Sequence, residues 1–375
     1  MTLLVDRRQI GEPGVHAILI GVGRYPNLCP GHGLGAYAPD AGLKELTSPL
    51  HSVEAFAQWL QDDMNLSGTP LRTLRALGSS PTRATPWPES EPTFNNIQQH
   101  VNDWFDDVNT HEGNLALFYF CGHGLRVGDV QAVLTQDFGS NRHAPFDHSF
   151  DPEFFADAVR KAKALRQIFL VDACSTEVSL PEDYHAVQPR VLIQPARNHH
   201  LGVVKQSFFR ASEFGTLAYG QENAPSIFME ALLRAMKGAG ALQRRPKQWV
   251  IGTDMLKTAL NWLIQSKPEG QGQEVAYGAG LSASLDFHEL RGAPVVPIQV
   301  SCDPQEYESF SALHIDKNEV CGANQWQQSF EMPVGSYDFE AIEKSAHPPI
   351  VHGLATNELV HPPYALVSIP CGDTP

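Results

Sequence analysis

Two side chains with the chemistry of a nucleophile and a base follow two strongly apolar segments. Residues 115–124, LALFYFCGHG, are apolar for seven positions and then present one histidine, His123, between two glycines. Residues 167–174, QIFLVDAC, are also largely apolar and end in Cys174. A thiol is a weak nucleophile until it is ionised, and a nearby imidazole can take its proton. The pair therefore indicates covalent catalysis if the fold brings the two side chains together.

The surrounding pattern predicts how the fold does so. Continuous apolar runs at residues 15–22 and in both segments above are typical of fully buried strands. Amphipathic patterns predict helices at 52–64, 94–108, 151–164, 225–238 and 252–266. Strands that alternate with helices form a mostly parallel sheet with both faces covered, an α/β fold. The carboxyl ends of such strands share one edge, so we expect His123 and Cys174 to meet there.

The backbone near both residues has properties suited to acyl transfer. Gly122 and Gly124 flank the histidine and let the main chain approach a substrate closely. The amides of Gly124 and Cys174 could both point at a developing oxyanion. We therefore assign Gly122 and Gly124 to the oxyanion region.

Composition limits the partners and the compartment. The chain has 375 residues, of which 42% are hydrophobic, and a formal net charge of −15. That charge disfavours binding to nucleic acids and to anionic membranes. No secretory signal and no run of about 18 apolar residues is present. We expect a cytoplasmic protein with reduced thiols.

The sequence predicts no resident metal or cofactor. The six cysteines lack CxxC spacing, and the histidines show no HxxxH-type ligand set. The glycines of GVGRYP and GHGLGAY match neither a P-loop nor a dinucleotide-binding fingerprint. Cys302, Cys321 and Cys371 lie in one region and could pair in an oxidising compartment.

The composition changes near Arg291, where short β-like runs separated by Pro, Gly and Asn replace the helical patterns. We therefore predict two domains, an α/β domain at residues 1–290 and an antiparallel β-sandwich at residues 291–375.

The two motifs together resemble those of caspase-like cysteine peptidases. The resemblance runs in family order through HAILIGVGRYP, SVEAFAQWL, LALFYFCGHG, QIFLVDACST and GTLAYGQENAPSIFMEALLRAM. Caspases carry Q-A-C with a histidine about 50 residues upstream, and here DAC stands in that place, as in the bacterial and metacaspase-type branch. The resemblance implies a caspase-like αβα sandwich and peptide hydrolysis, with His123 as general base and Cys174 as nucleophile. Cys121 is a rival thiol, which we interpret as a packing residue.

Asp172 is the candidate specificity residue. It lies two positions before Cys174, so both side chains face the same side of the strand. A carboxylate in the substrate pocket would select arginine or lysine before the scissile bond, and metacaspase-type enzymes with aspartate here cleave after basic residues. Those enzymes often add a second acidic residue at the start of the first helix. This chain has Ser52 there, so we assign Ser52 to the same substrate pocket as Asp172. The alternative is that Asp172 caps a backbone amide.

The segment 176–212 has no clear periodicity and is far longer than ordinary connections. Its basic residues are candidate activation cleavage sites: Arg190, Arg197, Lys205 and Arg210. Caspase-like enzymes are often activated by a cut in this loop, so the resemblance implies a zymogen, cut by itself or by an upstream protease. The alternative is a loop that is only mobile.

Two other functions stay open at this point. The chain could be a catalytically silent scaffold on the same fold, or a transpeptidase or deamidase that uses the same pair. Protein or peptide substrates with basic residues are the expected partners. Bacterial relatives are often linked to stress or anti-phage defence, and related metacaspases can need calcium, a dependence that the sequence leaves open.

Overall fold

The computed structural model describes residues 2–28, 43–127, 130–141, 143–174, 176–177, 189–194, 204–212, 220–279, 284–326 and 329–372. The chain divides into two compact units: Met1–Leu233 with Lys267–Glu289, and Arg234–Ser266 with Leu290–Pro375. The segment 234–266 thus belongs with the C-terminal strands. The division into domains at residues 290 and 291 stays a prediction. In the described part of the chain, no helix is long and apolar enough to cross a membrane.

The elements are numbered along the chain. The α-helices are α1 (Ser48–Asp62), α2 (Phe94–Val108), α3 (Pro152–Val159), α4 (Ile227–Arg234) and α5 (Thr253–Gln265). The strands are β1 (Leu3–Asp6), β2 (Val15–Gly21), β3 (Leu71–Ser80), β4 (Arg83–Trp87), β5 (Leu115–Cys121), β6 (Gly124–Val127), β7 (Val130–Leu134), β8 (Ser149–Phe150), β9 (Arg166–Asp172), β10 (Thr176–Glu177), β11 (Lys205–Arg210), β12 (Ala241–Arg245), β13 (Gln248–Gly252), β14 (Ala276–Ala279), β15 (Asp286–Glu289), β16 (Val295–Asp303), β17 (Ala312–Ile315), β18 (Asn318–Cys321), β19 (Phe330–Pro333), β20 (Gly335–Glu343), β21 (Ile350–Val360) and β22 (Ala365–Pro370). A π-helical turn, Ala235–Ala239, follows α4.

The first unit is built on an eight-stranded sheet with the order β1-β3-β2-β5-β9-β11-β14, to which β4 adds beside β3. The five strands from β3 to β11 are parallel, and β1, β4 and β14 pair antiparallel at the edges. The apolar runs predicted as buried strands are β2, β5 and β9, and their residues are buried except for Arg166. The predicted α/β fold with a mostly parallel sheet is confirmed.

Helices cover both faces of this sheet, as their sequences predict. Thr93 caps α2 by accepting a hydrogen bond from a backbone amide, and Asp151 caps α3 by accepting two. On that face Phe118 of β5 packs against Trp104 of α2 and Phe155 of α3. On the other face, Tyr119 meets Phe56 of α1 edge to face.

One sequence prediction about this sheet is wrong. The segment 176–212 was expected to be irregular throughout, but Lys205–Arg210 form β11, which pairs with β9 on one side and β14 on the other. Its sequence, KQSFFR, has two apolar residues between polar ends, so it lacks the continuous apolar run of the other central strands. It forms a strand because it pairs with β9 and β14, which lie on either side of it. The sequence also predicts a short strand at residues 215–220, GTLAYG, of which only Gly220 lies within the described residues.

The second unit contains two small sheets around one apolar core. One has the order β19-β16-β22 and the other β18-β17-β20-β21, and the core between them includes Ile298 and Phe339. The predicted antiparallel β-rich region is therefore present, although β16 and β22 pair parallel. The described cysteines form no disulfide, and the thiol of Cys371 donates a hydrogen bond to the Ile369 carbonyl at 3.4 Å.

Candidate active site

The strand register brings His123 and Cys174 to the same edge of the sheet. Cys121, the last residue of β5, lies opposite Asp172, the last residue of β9. Beyond these ends the two chain segments pair again, because β6 and β10 form a parallel ladder. His123 and Cys174 lie between the two paired stretches, and neighbouring strands are about 4.8 Å apart. Both residues line one cavity of about 210 Å³.

Hydrogen bonds orient the His123 imidazole. Its Nε2 lies 2.6 Å from the carbonyl oxygen of Lys44, and a carbonyl can only accept. The proton of a neutral ring is therefore on Nε2, which leaves Nδ1 with the lone pair of a base. Burial lowers the pKa of His123, and the contact with Lys44 opposes that shift. A neutral imidazole is the form that can take a proton from a thiol.

Tyr25 fixes the main chain of the same residue. The His123 backbone amide donates to the Tyr25 hydroxyl over 2.8 Å, and the two rings lie 4.8 Å apart. Lys44 and Tyr25 were not identified from the sequence, because a backbone carbonyl or a single buried tyrosine has no pattern to mark it.

The two predicted oxyanion glycines differ in their surroundings. A Cβ on Gly124 would lie 2.3 Å from the carbonyl oxygen of Cys174, so only glycine lets these backbones meet. A Cβ on Gly122 would lie 2.7 Å from the Tyr25 hydroxyl. The Gly122 amide donates to the Asp172 carbonyl over 3.2 Å and is therefore not available to a substrate oxygen. The close approach of the backbone at Gly124 supports its predicted role better than the surroundings of Gly122 do.

Asp172 lines the cavity and is 5% exposed. Its Oδ2 accepts hydrogen bonds from the Tyr119 hydroxyl, at 2.9 Å, and from the Ser226 hydroxyl. Burial raises the pKa of Asp172, while bonds from Ser226, Tyr119 and Cys121 oppose the rise by stabilising the carboxylate. The donors found in the described residues are side chains, which does not favour the alternative that Asp172 caps a backbone amide.

The rival thiol Cys121 also lines this cavity. Burial and the neighbouring Asp172 raise its pKa well above the usual value for a thiol. A thiol that keeps its proton is a poor nucleophile, so its environment agrees with the interpretation as a packing residue.

Ser52 does not lie in the wall of the substrate pocket, where it was predicted. It is fully buried and does not line the cavity; its hydroxyl accepts a hydrogen bond from the Ser226 amide at 2.9 Å. Ser226, which was not identified from the sequence, both lines the cavity and contacts Asp172. A serine just before the apolar pattern of α4 was a recognisable helix cap, but nothing in the sequence placed it beside β9.

Comparisons with known proteins identify the family of this chain. The model of the caspase domain family matches residues 15–251. The chain belongs to the caspase domain family. This is a family of cysteine peptidases, as the motifs around His123 and Cys174 had indicated.

Three individual proteins that resemble this chain are 25% identical to it or less. The uncharacterized protein y4kE of Sinorhizobium fredii is 25% identical over 233 residues, which cover 60% of this chain and 67% of that protein. Caspase-1 from Spodoptera frugiperda has a TM-score of 0.44 at 12% identity and covers 76% of this chain and 94% of its own. Protein GSU0716 from Geobacter sulfurreducens has a TM-score of 0.42 at 13% identity and covers 72% and 94%.

The four predicted activation sites of this caspase-family chain differ in where they lie. Arg190 is exposed, its amide donates to the Ser149 carbonyl, and its guanidinium lies 4.0 Å from the Phe94 ring centroid. Lys205 and Arg210 lie in β11, and Arg210 is 8% exposed. A bond paired on both sides within a sheet cannot enter an active site, so this placement contradicts cleavage at those two residues in the folded chain. Arg197 lies outside the described residues.

No group of three or more His, Cys, Asp or Glu side chains in the described ranges is arranged to hold a metal ion. Calcium prefers several oxygen ligands, and Asp172 is the one carboxylate among the described residues that line the cavity. A calcium requirement stays an open prediction.

Proposed function

We propose that this caspase-family chain is a cysteine endopeptidase that cleaves after arginine or lysine. The observation that carries the proposal is that an imidazole, a thiol and a buried carboxylate, from His123, Cys174 and Asp172, line one cavity at one edge of the sheet. General base, nucleophile and charge selection are the three functions that such a reaction needs.

The reaction begins when the Nδ1 lone pair of His123 takes the proton of the Cys174 thiol. The thiolate attacks the substrate carbonyl carbon, and the amides of Cys174 and Gly124 bind the oxyanion. The imidazolium then gives its proton to the leaving amine, and a thioester with Cys174 remains. His123 next takes a proton from water, whose oxygen attacks the thioester carbonyl, displaces the thiolate and releases the acid product. The imidazolium returns its proton to the thiolate, which restores the starting thiol and neutral imidazole.

Asp172 would select the substrate residue whose carbonyl is attacked, which we call the specificity residue. A buried carboxylate at the base of the cavity attracts an ammonium or guanidinium group, and the surrounding low dielectric strengthens the attraction. A neutral specificity residue would leave that carboxylate without a counter-charge. This difference supports a preference for basic residues over neutral ones.

A peptide-library digest tests the proposal. Wild type and Cys174→Ala are compared, each with calcium and with a chelator. In both proteins the recognition sequence of an unrelated site-specific protease replaces residues 196–202, so that each can be assayed intact and after a cut at that place. We expect cleavage after arginine and lysine by the wild type alone. Cleavage that survives in Cys174→Ala would contradict the assigned nucleophile, and an inactive wild type in every condition would favour the scaffold alternative. Aminolysis products formed with an added amine would favour a transpeptidase.

We further propose that the chain is a zymogen activated by cleavage at Arg190 or Arg197. The support is the length of this segment and its two basic residues outside β11. Arg190→Ala, Arg197→Ala and the double variant are followed by gel and by activity. Full activation of the double variant would remove the proposal.

The resemblance to bacterial members also supports a role in a cytoplasmic stress or anti-phage response that an upstream signal triggers. A plaque assay with wild type and Cys174→Ala tests this role. Equal phage yields in both strains would contradict it.

A further inference from the structure

Two of the hydrogen bonds at Asp172 share one of its carboxylate oxygens, Oδ2. Each carboxylate oxygen can accept about two hydrogen bonds. Oδ2 already accepts two, from the Tyr119 hydroxyl at 2.9 Å and from the Ser226 hydroxyl. The Cys121 thiol is a third donor to this carboxylate, and even if it donates to Oδ1, that oxygen keeps acceptor capacity for a substrate.

The Ser226 hydroxyl is held in this orientation by its other contact. Its oxygen accepts the Met229 backbone amide at 3.0 Å, at the start of α4, so its proton is directed toward Asp172. The Ser226 amide is also held, because it donates to the buried Ser52 hydroxyl.

Burial makes these bonds expensive to break. Ser226 is 2% exposed and Tyr119 is fully buried. If either hydroxyl turned away from Oδ2, it would give up a hydrogen bond to a charged group, and such a bond contributes more than one between neutral groups. The donors to Oδ2 therefore stay in place when a substrate enters.

Lysine and arginine make different demands on a carboxylate. A guanidinium binds best as a fork, with one N–H on each carboxylate oxygen. An ammonium is a compact charge that needs only one oxygen. With Oδ2 occupied, the fork cannot form fully, whereas a single contact to Oδ1 remains available.

We propose that the pocket selects lysine over arginine at the specificity residue, and that Ser226 is the positioning residue that sets this preference. The inference rests on the proposed function, since it refines the basic preference assigned to Asp172. Ser226 acts through the carboxylate, by occupying an acceptor position that arginine would otherwise use.

The test compares kcat/KM for two fluorogenic peptides that differ only in lysine or arginine at the specificity residue. We expect the wild type to favour lysine by about tenfold or more, the factor that corresponds to one lost hydrogen bond. Ser226→Ala frees an acceptor position on Oδ2 and should move the ratio toward arginine. Tyr119→Phe removes the other donor to the same oxygen, so it should move the ratio in the same direction.

The two variants separate positioning from a structural effect. Tyr119 lies in β5 and Ser226 precedes α4, so loss of the helix cap in Ser226→Ala has no counterpart in Tyr119→Phe. An equal fall with both substrates would overturn the assignment of Ser226. If the wild type cleaves after arginine as well as after lysine, the lysine preference is wrong but the proposed peptidase activity stands. If the wild type, cut in its 176–212 segment, cleaves neither peptide, the result counts against the peptidase activity itself.

Discussion

Gly124 and Cys174 meet through their backbones: a Cβ placed on Gly124 would lie 2.3 Å from the carbonyl oxygen of Cys174. Gly124→Ala must therefore displace the main chain of Cys174, the proposed nucleophile, or that of Gly124, which directly follows His123. Because misplacement by about 1 Å can cost about a hundredfold in rate, we expect kcat to fall by about that factor. Steady-state kinetics with a lysine peptide measures the change.

Gly278→Ala is the matched control, because a Cβ there meets no atom within 4 Å. It lies in β14 of the same sheet, so a general response of the sheet to added methyl groups would affect both variants. Gly124→Ala with wild-type kcat would show that the contact does not position Cys174.

Asp172→Asn removes the charge and keeps the size of the side chain. The amide oxygen can still accept from Tyr119 and Ser226, while the NH₂ group presents donors to the substrate cation. A hydrogen bond to a charged group contributes about 1.5–3 kcal/mol, so we expect kcat/KM for lysine peptides to fall by about 10- to 100-fold. A norleucine peptide, which lacks the charge, should lose much less. An equal loss for both peptides would indicate damage to the fold in place of lost charge recognition.

His16 of β2 should make the folded chain less stable in acid. Burial lowers its pKa to about 4, with further effects from Asp107, Arg75, Asn114 and Arg72. An unfolded histidine titrates near 6.5, so the unfolded state binds the proton first as the pH falls. This contribution is complete above about pH 6.5 and is lost as the pH falls toward 4, a loss of about 2–3 kcal/mol by about pH 4.5.

Urea unfolding of wild type and His16→Asn at about pH 7 and 4.5 isolates this group from the other titrating residues. The variant should lose less stability between the two pH values, by about the stated amount. The same pH dependence in both proteins would contradict the assignment.

Loss of the buried ion pair of Arg75 with Asp107 should lower the free energy of unfolding more than loss of an exposed ion pair. Both side chains are about 6% exposed, and removal of one partner from a buried pair costs about 3–5 kcal/mol because the other charge stays buried. Asp107 keeps a second, longer contact with Arg8 at 3.4 Å, which places the expected cost near the lower end of this range. We expect Arg75→Met to lower the free energy of unfolding by that order. Arg83 pairs with Glu54 at 2.7 Å near the surface, and Arg83→Met should cost about 0–1 kcal/mol. Equal costs would show that burial does not decide the effect.

The common location of His123 and Cys174, the proposed catalytic pair, could be predicted from sequence because each residue follows a continuous apolar run. Parallel strands that pair side by side must end at a common edge, so the positions of His123 and Cys174 followed from the fold class. The parallel pairing of Cys121 with Asp172 bears out this reasoning.

Other parts of the site depend on contacts that a sequence does not encode locally. Ser226 is 54 residues from Asp172, and Lys44 contributes only a backbone carbonyl to His123. Strand β11 escaped prediction for a similar reason, since its six residues become a strand through neighbours on both sides. Ser52 was expected in the pocket, but it lies behind the pocket wall, where its hydroxyl accepts a hydrogen bond from the Ser226 amide.

The most direct test of the catalytic pair is covalent labelling with a peptidyl lysyl chloromethyl ketone, followed by peptide mapping in a mass spectrometer. The account predicts one adduct per chain on Cys174, none in Cys174→Ala, and a labelling rate lower by about 10²–10⁴ in His123→Ala, the range for loss of a general base. Labelling of Cys121 in place of Cys174, or no labelling of the folded and cut wild type, would contradict it.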